Sequence, residues 1–220
     1  MFTFPALAAD DTIIYVSPTG NGNGSNWDDA TTLDAAWAAA TPGTKIFLKS
    51  GTYNRTSTLT LKDGVSVYGG FAGTEDSEAE RALSDRDGNG IIEPWEFANE
   101  TLFTGAVRFF TGVKDAAAVV DGITMTTTAS TGSGAVIALY TGNVLQNSEV
   151  TDSPNATRGV VYLDGGKLLS SYIHDNVTNS DRGCISIYYN TEAPQPFPIA
   201  ALRITRRSMA ALSIRALHKR

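Results

Sequence analysis

Between Asp85 and Glu96 the sequence reads Asp-Arg-Asp-Gly-Asn-Gly-Ile-Ile-Glu-Pro-Trp-Glu, which matches every position of the twelve-residue calcium-loop pattern of EF-hands. Calcium is a hard ion that takes about six to eight oxygens. Asp85, Asp87, Asn89, the Ile91 carbonyl and Glu93 would each supply one, and Glu96 would supply two. Gly90 permits the sharp turn that brings the loop back on itself. Four carboxylates and one arginine in so short a stretch repel one another unless a cation joins them. The plain alternative is an acidic, turn-rich insertion that binds no ion. The flanks fit the first reading: Glu78 to Leu83 can form an entering helix, and Pro94 suits the first turn of a leaving helix through Phe97. Ile92 would then point inward as the apolar anchor. A single loop suits a structural extracellular site better than a paired sensor.

Outside the loop, the residues able to do acid-base work are Asp152, Asp175, His174, Arg158, Asp181 and Arg182. A lyase would need an acidic cluster to hold a cation and a base to abstract a proton, whereas a hydrolase would need two carboxylates flanking the bond. Asp152 and Asp175 occupy matching turn positions in successive repeats, which brings their carboxylates to about 5 Å by strand spacing. Capping of turns explains both equally simply. His174 follows the apolar Ile173, so strand alternation turns it outward as a surface histidine. Tyr140, Tyr162, Tyr172 and Tyr188 either offer stacking faces to sugar rings or merely cover strands. The sequence contains no GxSxG, HExxH, CxxC or phosphate-binding glycine motif. It therefore establishes no enzymatic activity, and the balance favours a non-catalytic role.

The elements that must position these residues are repeats. Gly134-Ala-Val-Ile-Ala-Leu-Tyr, Gly159-Val-Val-Tyr-Leu-Asp and Gly183-Cys-Ile-Ser-Ile-Tyr recur along the chain, as do Asn147-Ser-Glu-Val-Thr-Asp-Ser and Ser170-Ser-Tyr-Ile-His-Asp-Asn. Each period holds two short strands and turn residues, which is one coil of a solenoid, and about five or six coils are present. Aligning the glycines predicts core columns of Val136, Val161 and Ile185 and of Ala138, Leu163 and Ile187. A solenoid needs its open end covered. Residues 32 to 40 can do so as a helix with Thr32 as N-cap and Leu33, Ala36, Trp37 and Ala40 on one face, stopped by Pro42 and Gly43.

The chain has 220 residues, 21 of them glycine, and a net charge of −6. Residues 1 to 190 carry 11 basic and 22 acidic side chains, a net −11, while residues 191 to 220 carry 6 basic and 1 acidic. An acidic body argues against nucleic acid and anionic lipid as partners and makes divalent cations natural counter-ions. The opening, ending in Ala6-Leu7-Ala8-Ala9, reads as the clipped end of a secretory signal over residues 1 to 9. No apolar run is long enough to cross a membrane as a helix. From Thr191 the strand-and-turn pattern gives way to a basic segment, which reads as an aberrant or disordered tail.

The segments IYVSPTGNGNGSNWDDATTLDAA, PGTKIFLKSGTY and LKDGVSVYGGFAGTE resemble the start of pectin-lyase-like β-helix proteins secreted by Bacteroidetes and related bacteria. The resemblance covers about residues 12 to 190. It implies a right-handed parallel β-helix, an exported protein, and a longer chain with a C-terminal sorting or anchoring region. That superfamily holds polysaccharide lyases, glycoside hydrolases, adhesins and autotransporter passengers, so the fold does not choose among them. The expectation is an all-β, right-handed β-helix over residues 10 to 190 with a capping helix and an EF-hand-like insertion at 77 to 100. It would be a secreted or cell-surface monomer that carries structural Ca2+ and binds an extracellular polysaccharide or surface protein. The alternative is a lyase or hydrolase whose active-site coils lie partly outside this chain.

Overall fold

The computed structural model describes residues 11–128, 135–154, 159–177 and 184–190, and the backbone of two further strands, 199–204 and 212–217. Seventeen strands run in chain order: β1 (Thr12–Val16), β2 (Thr44–Lys49), β3 (Gly51–Asn54), β4 (Leu59–Thr60), β5 (Ser66–Phe71), β6 (Thr101–Gly105), β7 (Phe110–Thr111), β8 (Ala118–Asp121) and β9 (Thr124–Thr127), followed by β10 (Ile137–Tyr140), β11 (Asn143–Gln146), β12 (Glu149–Val150), β13 (Val161–Asp164), β14 (Lys167–Ile173), β15 (Ile185–Asn190), β16 (Ile199–Ile204) and β17 (Leu212–Leu217). Every pairing between them is parallel. The pairing order divides the wall into three faces. The first holds β1, β2, β5, β8, β11 and the start of β14, and the second holds β3, β6, β9, β12 and the end of β14. The third holds β4, β7, β10, β13, β15 and β17. This is a right-handed parallel β-helix of six coils.

Each coil thus has three sides rather than the two read from the sequence. The side that the repeats did not separate is the first one, Asn143–Gln146 and the start of Lys167–Ile173, which runs into the second with a single-residue corner and no turn sequence between them. A single left-handed residue makes the corner between the first and second faces in successive coils: Gly122 (φ 71°), Asn147 (φ 48°) and Ser170 (φ 43°). Asn is among the few residues with a side chain that tolerate this conformation. Just past that corner Ser148 and Ser171 turn inward as a ladder. Ser148 Oγ accepts from Ile123 N and Ser171 Oγ from Ser148 N, while the hydroxyls donate to Gln146 O and Leu169 O. These bonds pair the Ile123 and Ser148 amides and the Gln146 and Leu169 carbonyls at the corner.

The core columns differ from the expected alignment by one residue. Ile137, Val161 and Ile185 stand in register, as do Leu139, Leu163 and Ile187, so Val136 and Ala138 are not the column members. The glycine spacing misled because Gly134 and Gly159 are 25 residues apart while Ile137 and Val161 pair at an offset of 24, so the two glycines do not stand at the same distance before their strands. All six column residues are buried.

Helix α1 (Leu33–Ala39) lies between β1 and β2 as predicted, with Thr32 Oγ1 accepting from Ala35 N at 3.2 Å. Leu33, Ala36 and Trp37 are buried in the common core, Trp37 against Phe110. Lys62 caps its far end by donating to the Trp37 and Ala40 carbonyls. Among the described residues no helix is long and apolar enough to cross a membrane. Residues 1 to 9, the expected signal remnant, lie outside the described residues. The tail read as aberrant does contain strand backbone: β16 pairs with β14, and β17 continues the third face with Leu212 and Ile214 in register with Ile185 and Ile187. Strand geometry therefore outlasts the change in composition at Thr191.

Candidate functional site

Residues 72 to 100 leave the coil between β5 and β6, at the corner joining the first two faces, and fold back over the outer wall. Their root is anchored by aromatic and ionic packing. Phe71 stacks on Phe47 at 4.4 Å, and Trp27 covers Phe71 at 5.4 Å. The Arg81 guanidinium lies 4.5 Å from the Phe97 ring centre, and its Nη1 donates to Asp121 Oδ1 at 2.8 Å and to Gly69 O. Glycines make the floor for this packing: a Cβ on Gly70 would sit 2.7 Å from Phe97, and one on Gly122 the same distance from Arg81. Arg81 and Asp121 are only 7% and 2% exposed, and Gln146 and Asn147 donate to the second Asp121 oxygen.

The two helices expected to flank the loop are absent. A short 3-10 turn at Glu78–Glu80 replaces the first, and Leu83 instead makes an antiparallel bridge to Phe97. Tertiary anchoring of Arg81 and Phe97 overrides the helical preference of this stretch. Ile92 does not point inward either: it is 57% exposed, and the buried apolar residues are Trp95 and Phe97.

The loop does bring Asp85, Asp87 and Glu96 together, with one ligand oxygen from each lying within 4.8 Å of the others. Glu96 is the organiser. It is 3% exposed, and its oxygens accept from the amides of Arg86, Asp87 and Glu93. Burial opposes its ionisation, but those amides and a hydrogen bond with the Glu93 carboxyl outweigh burial and hold it below the ordinary carboxylate range. Asp85 accepts from Asn89 N and Gly90 N, Asp87 from Asn89 N, and Asn89 Oδ1 from Ile91 N. Gly88 and Gly90 take φ of 70° and 86° to close these turns. The Asn89 amide lies 2.9 Å from Asp87 and 3.4 Å from Glu93. The loop's own arginine faces elsewhere. Arg86 Nη2 is 2.8 Å from both Glu100 Oε1 and Glu149 Oε2. The donor set is anionic, all-oxygen and gathered by the loop's own amides around the buried Glu96, so its chemistry fits a hard divalent cation.

Through Arg86 and Trp95 the loop meets the second face of the helix. Trp95 packs on Tyr172 at 5.5 Å, Tyr172 stacks on His174 at 3.9 Å, and Glu149 lies between Arg86 and His174. Glu149 escaped the sequence reading because it stands on a two-residue strand with nothing to mark it. Its one signal was its register with Tyr172, two residues before His174. His174 is on the outer wall as expected, yet it is only 17% exposed. Its Nδ1 is 3.0 Å from Asp175 Oδ2 and 3.3 Å from Thr151 Oγ1, and its Nε2 is buried, 3.6 Å from Glu149 Oε1. Nε2 is closed to solvent, and Nδ1 is shared between Asp175 and Thr151.

Asp152 and Asp175 do hold equivalent corner positions one coil apart, both left-handed at φ 49° and 48°. Their partners are local: Thr151 Oγ1 donates to Asp152 Oδ2, and Asp175 meets His174. Corner formation accounts for both. Arg158, Asp181 and Arg182 lie outside the described residues. Of the four tyrosines, Tyr140, Tyr162 and Tyr188 form a file on the third face, with centroids 6.1 and 5.0 Å apart and rings tilted by 59° and 48°. Tyr172 is elsewhere, beneath Trp95.

No family model matches the chain, and no curated protein matches it. Among solved structures it is similar to pectate lyase Pel9A, with a TM-score of 0.39 and 17% identity over 91% of this chain. The match spans 63% of the length of that lyase. At this level of likeness the assignment of the fold rests on the strand order and register of the chain itself.

Proposed function

We propose that the chain is an exported or cell-surface β-helix module of the pectin-lyase-like type found in Bacteroidetes, stabilised by calcium and presenting its outer wall to an extracellular glycan or protein without catalysing a reaction. The observation that carries the calcium part is the convergence of Asp85, Asp87 and Glu96 on one point. Asn89, Glu93 and the Ile91 carbonyl complete the candidate ligand set. The ion would supply only charge neutralisation and loop closure. The non-catalytic part is supported by the consumption of His174 inside the protein and by the corner roles of Asp152 and Asp175.

A ligand that binds only the folded state stabilises it by about 2.7 kcal/mol when present at about a hundredfold above Kd. For a chain of this size that corresponds to a rise in melting temperature of about 5–10 °C. Extracellular modules bind at about 0.1–1 mM, so calcium raised to about 10 mM should stabilise by about 1.4–2.7 kcal/mol and raise the melting temperature by about 3–10 °C. Glu96→Gln should abolish most of it, and magnesium should substitute poorly because it demands a smaller octahedral shell. Incubation with extracellular polysaccharides separates the roles: binding on a glycan array without product supports the module, and release of reducing ends or unsaturated sugars overturns the non-catalytic reading.

A further inference from the structure

The chain contains three Asn-Gly steps, Asn21–Gly22, Asn23–Gly24 and Asn89–Gly90. At such a step the backbone nitrogen of the glycine can attack the preceding side-chain carboxamide, because no Cβ shields it. The reaction is helped by a group that takes the proton from that nitrogen and by a donor that stabilises the carboxamide oxygen as it becomes an anion. Of the three steps, Asn89 has both. Gly90 N donates to Asp85 Oδ2 at 2.8 Å, and Asn89 Oδ1 accepts from Ile91 N at 2.7 Å. The second bond folds the carboxamide forward along the chain, toward the Gly90 amide. The carboxamide nitrogen lies 2.9 Å from Asp87 Oδ2, which fixes the orientation of the group. Asn89 and Gly90 are both exposed, and a Cβ on Gly90 would meet nothing within 4 Å, so the path of attack is open.

The other two steps lack the base. Gly22 N donates to the Ala30 carbonyl and Gly24 N to the Asp29 carbonyl, and a peptide carbonyl does not take up a proton at neutral pH. Asn23 is an internal control, since its Oδ1 accepts from Ser25 N at 2.8 Å much as Asn89 Oδ1 accepts from Ile91 N. Gly24 is buried, however, and a Cβ there would lie 2.8 Å from Ile14. We propose that Asn89 is a site of self-catalysed deamidation, with Gly90 N as nucleophile, Asp85 as base and the Ile91 amide as oxyanion donor. The Gly90 nitrogen adds to Asn89 Cγ as its proton passes to Asp85. Collapse of the adduct breaks the Cγ–Nδ2 bond, and ammonia leaves with the proton that Asp85 had taken. Water then opens the cyclic imide at either carbonyl and leaves an aspartate or an isoaspartate at position 89. Both products add a negative charge beside Asp85 and Asp87, and isoaspartate also lengthens the loop backbone by a carbon.

Peptide mapping by mass spectrometry of the full chain, incubated at neutral pH, follows all three steps at once through the mass change from carboxamide to carboxyl. Each rate is divided by the rate at the same step in the chain unfolded in guanidinium chloride. A chelator is present throughout, so the outcome does not depend on calcium binding. Asn21 and Asn23 should react more slowly folded than unfolded. Asn89 should react about tenfold faster folded, less than the roughly hundredfold that a well-matched base supplies, because a carboxylate is a weak base toward an amide proton. Asp85→Asn separates catalysis from tethering. It keeps an oxygen to accept from Gly90 N, but that oxygen cannot take up the proton, so the ratio at Asn89 should fall to unity or below. A wild-type ratio at Asn89 of unity or below, or a ratio undiminished in Asp85→Asn, overturns the proposal.

Discussion

Val161→Asp should abolish cooperative folding of the coils around β13. Val161 is fully buried, in register with Ile137 on one side and Ile185 on the other, and no cation lies in that column. An ionised carboxylate there has no partner, and protonating it still leaves a polar group in an apolar stack. Such substitutions belong to the rare class that costs more than about 4–5 kcal/mol, comparable with the whole stability of many domains. In a solenoid each coil is stabilised by its neighbours, so the damage should spread to β10 and β15. Loss of the melting transition and of β-type circular dichroism is expected. A Val161→Asp chain that melts like the wild type would mean that this column does not face the core.

Asp121→Ala should have the next largest effect. The carboxylate and Arg81 are both nearly excluded from water, and Asp121 is the carboxylate that hydrogen-bonds the guanidinium, which is held over Phe97 with Glu78 as a more distant acidic neighbour. Removing one partner of a buried pair leaves the other charge uncompensated and costs about 3–5 kcal/mol. Gln146 and Asn147 would also lose their acceptor. The loss should appear in denaturant unfolding as a lowered midpoint. Pairing the change with Arg81→Met should recover part of it, because the two residues act as a unit. A cost below about 1 kcal/mol for Asp121→Ala would show that the insertion is not anchored through this pair.

Much of the fold was legible because solenoid repeats leave a long-range signal in composition as well as in periodicity. The offset of 23 residues between the segments around Val150 and Ile173 is the true register of β12 and β14. The capping helix was equally visible, since Leu33, Ala36 and Trp37 fall on one helical face and Thr32 is a strong N-cap. What failed did so for identifiable reasons. One slip in register came from aligning Gly134 with Gly159, whose spacing exceeds the 24-residue offset of Ile137 and Val161 by one. The helices around the loop did not form because Arg81 and Phe97 gain more by docking on Gly70, Gly122 and Asp121 than by completing a helical turn. Glu149 stayed hidden because its partners, Arg86 and His174, are 63 and 25 residues away in sequence and meet it only once the insertion folds back. His174 and Asp175 were visible as chemistry-bearing residues, but only the packing of Tyr172 and Trp95 shows how little of the ring is open to solvent.

The loop from Asp85 to Glu96 carries the most specific chemistry in this chain, and calcium binding is measured most directly by isothermal titration calorimetry. Wild-type protein titrated to about 10 mM calcium should bind one ion with a Kd of about 0.1–1 mM. Glu96→Gln, which weakens the buried ligand that organises the loop, should lose most of that binding. No heat of binding in the wild type at that concentration, or equal binding by Glu96→Gln, would contradict the assignment and leave the loop an acidic insertion held only by its own amides.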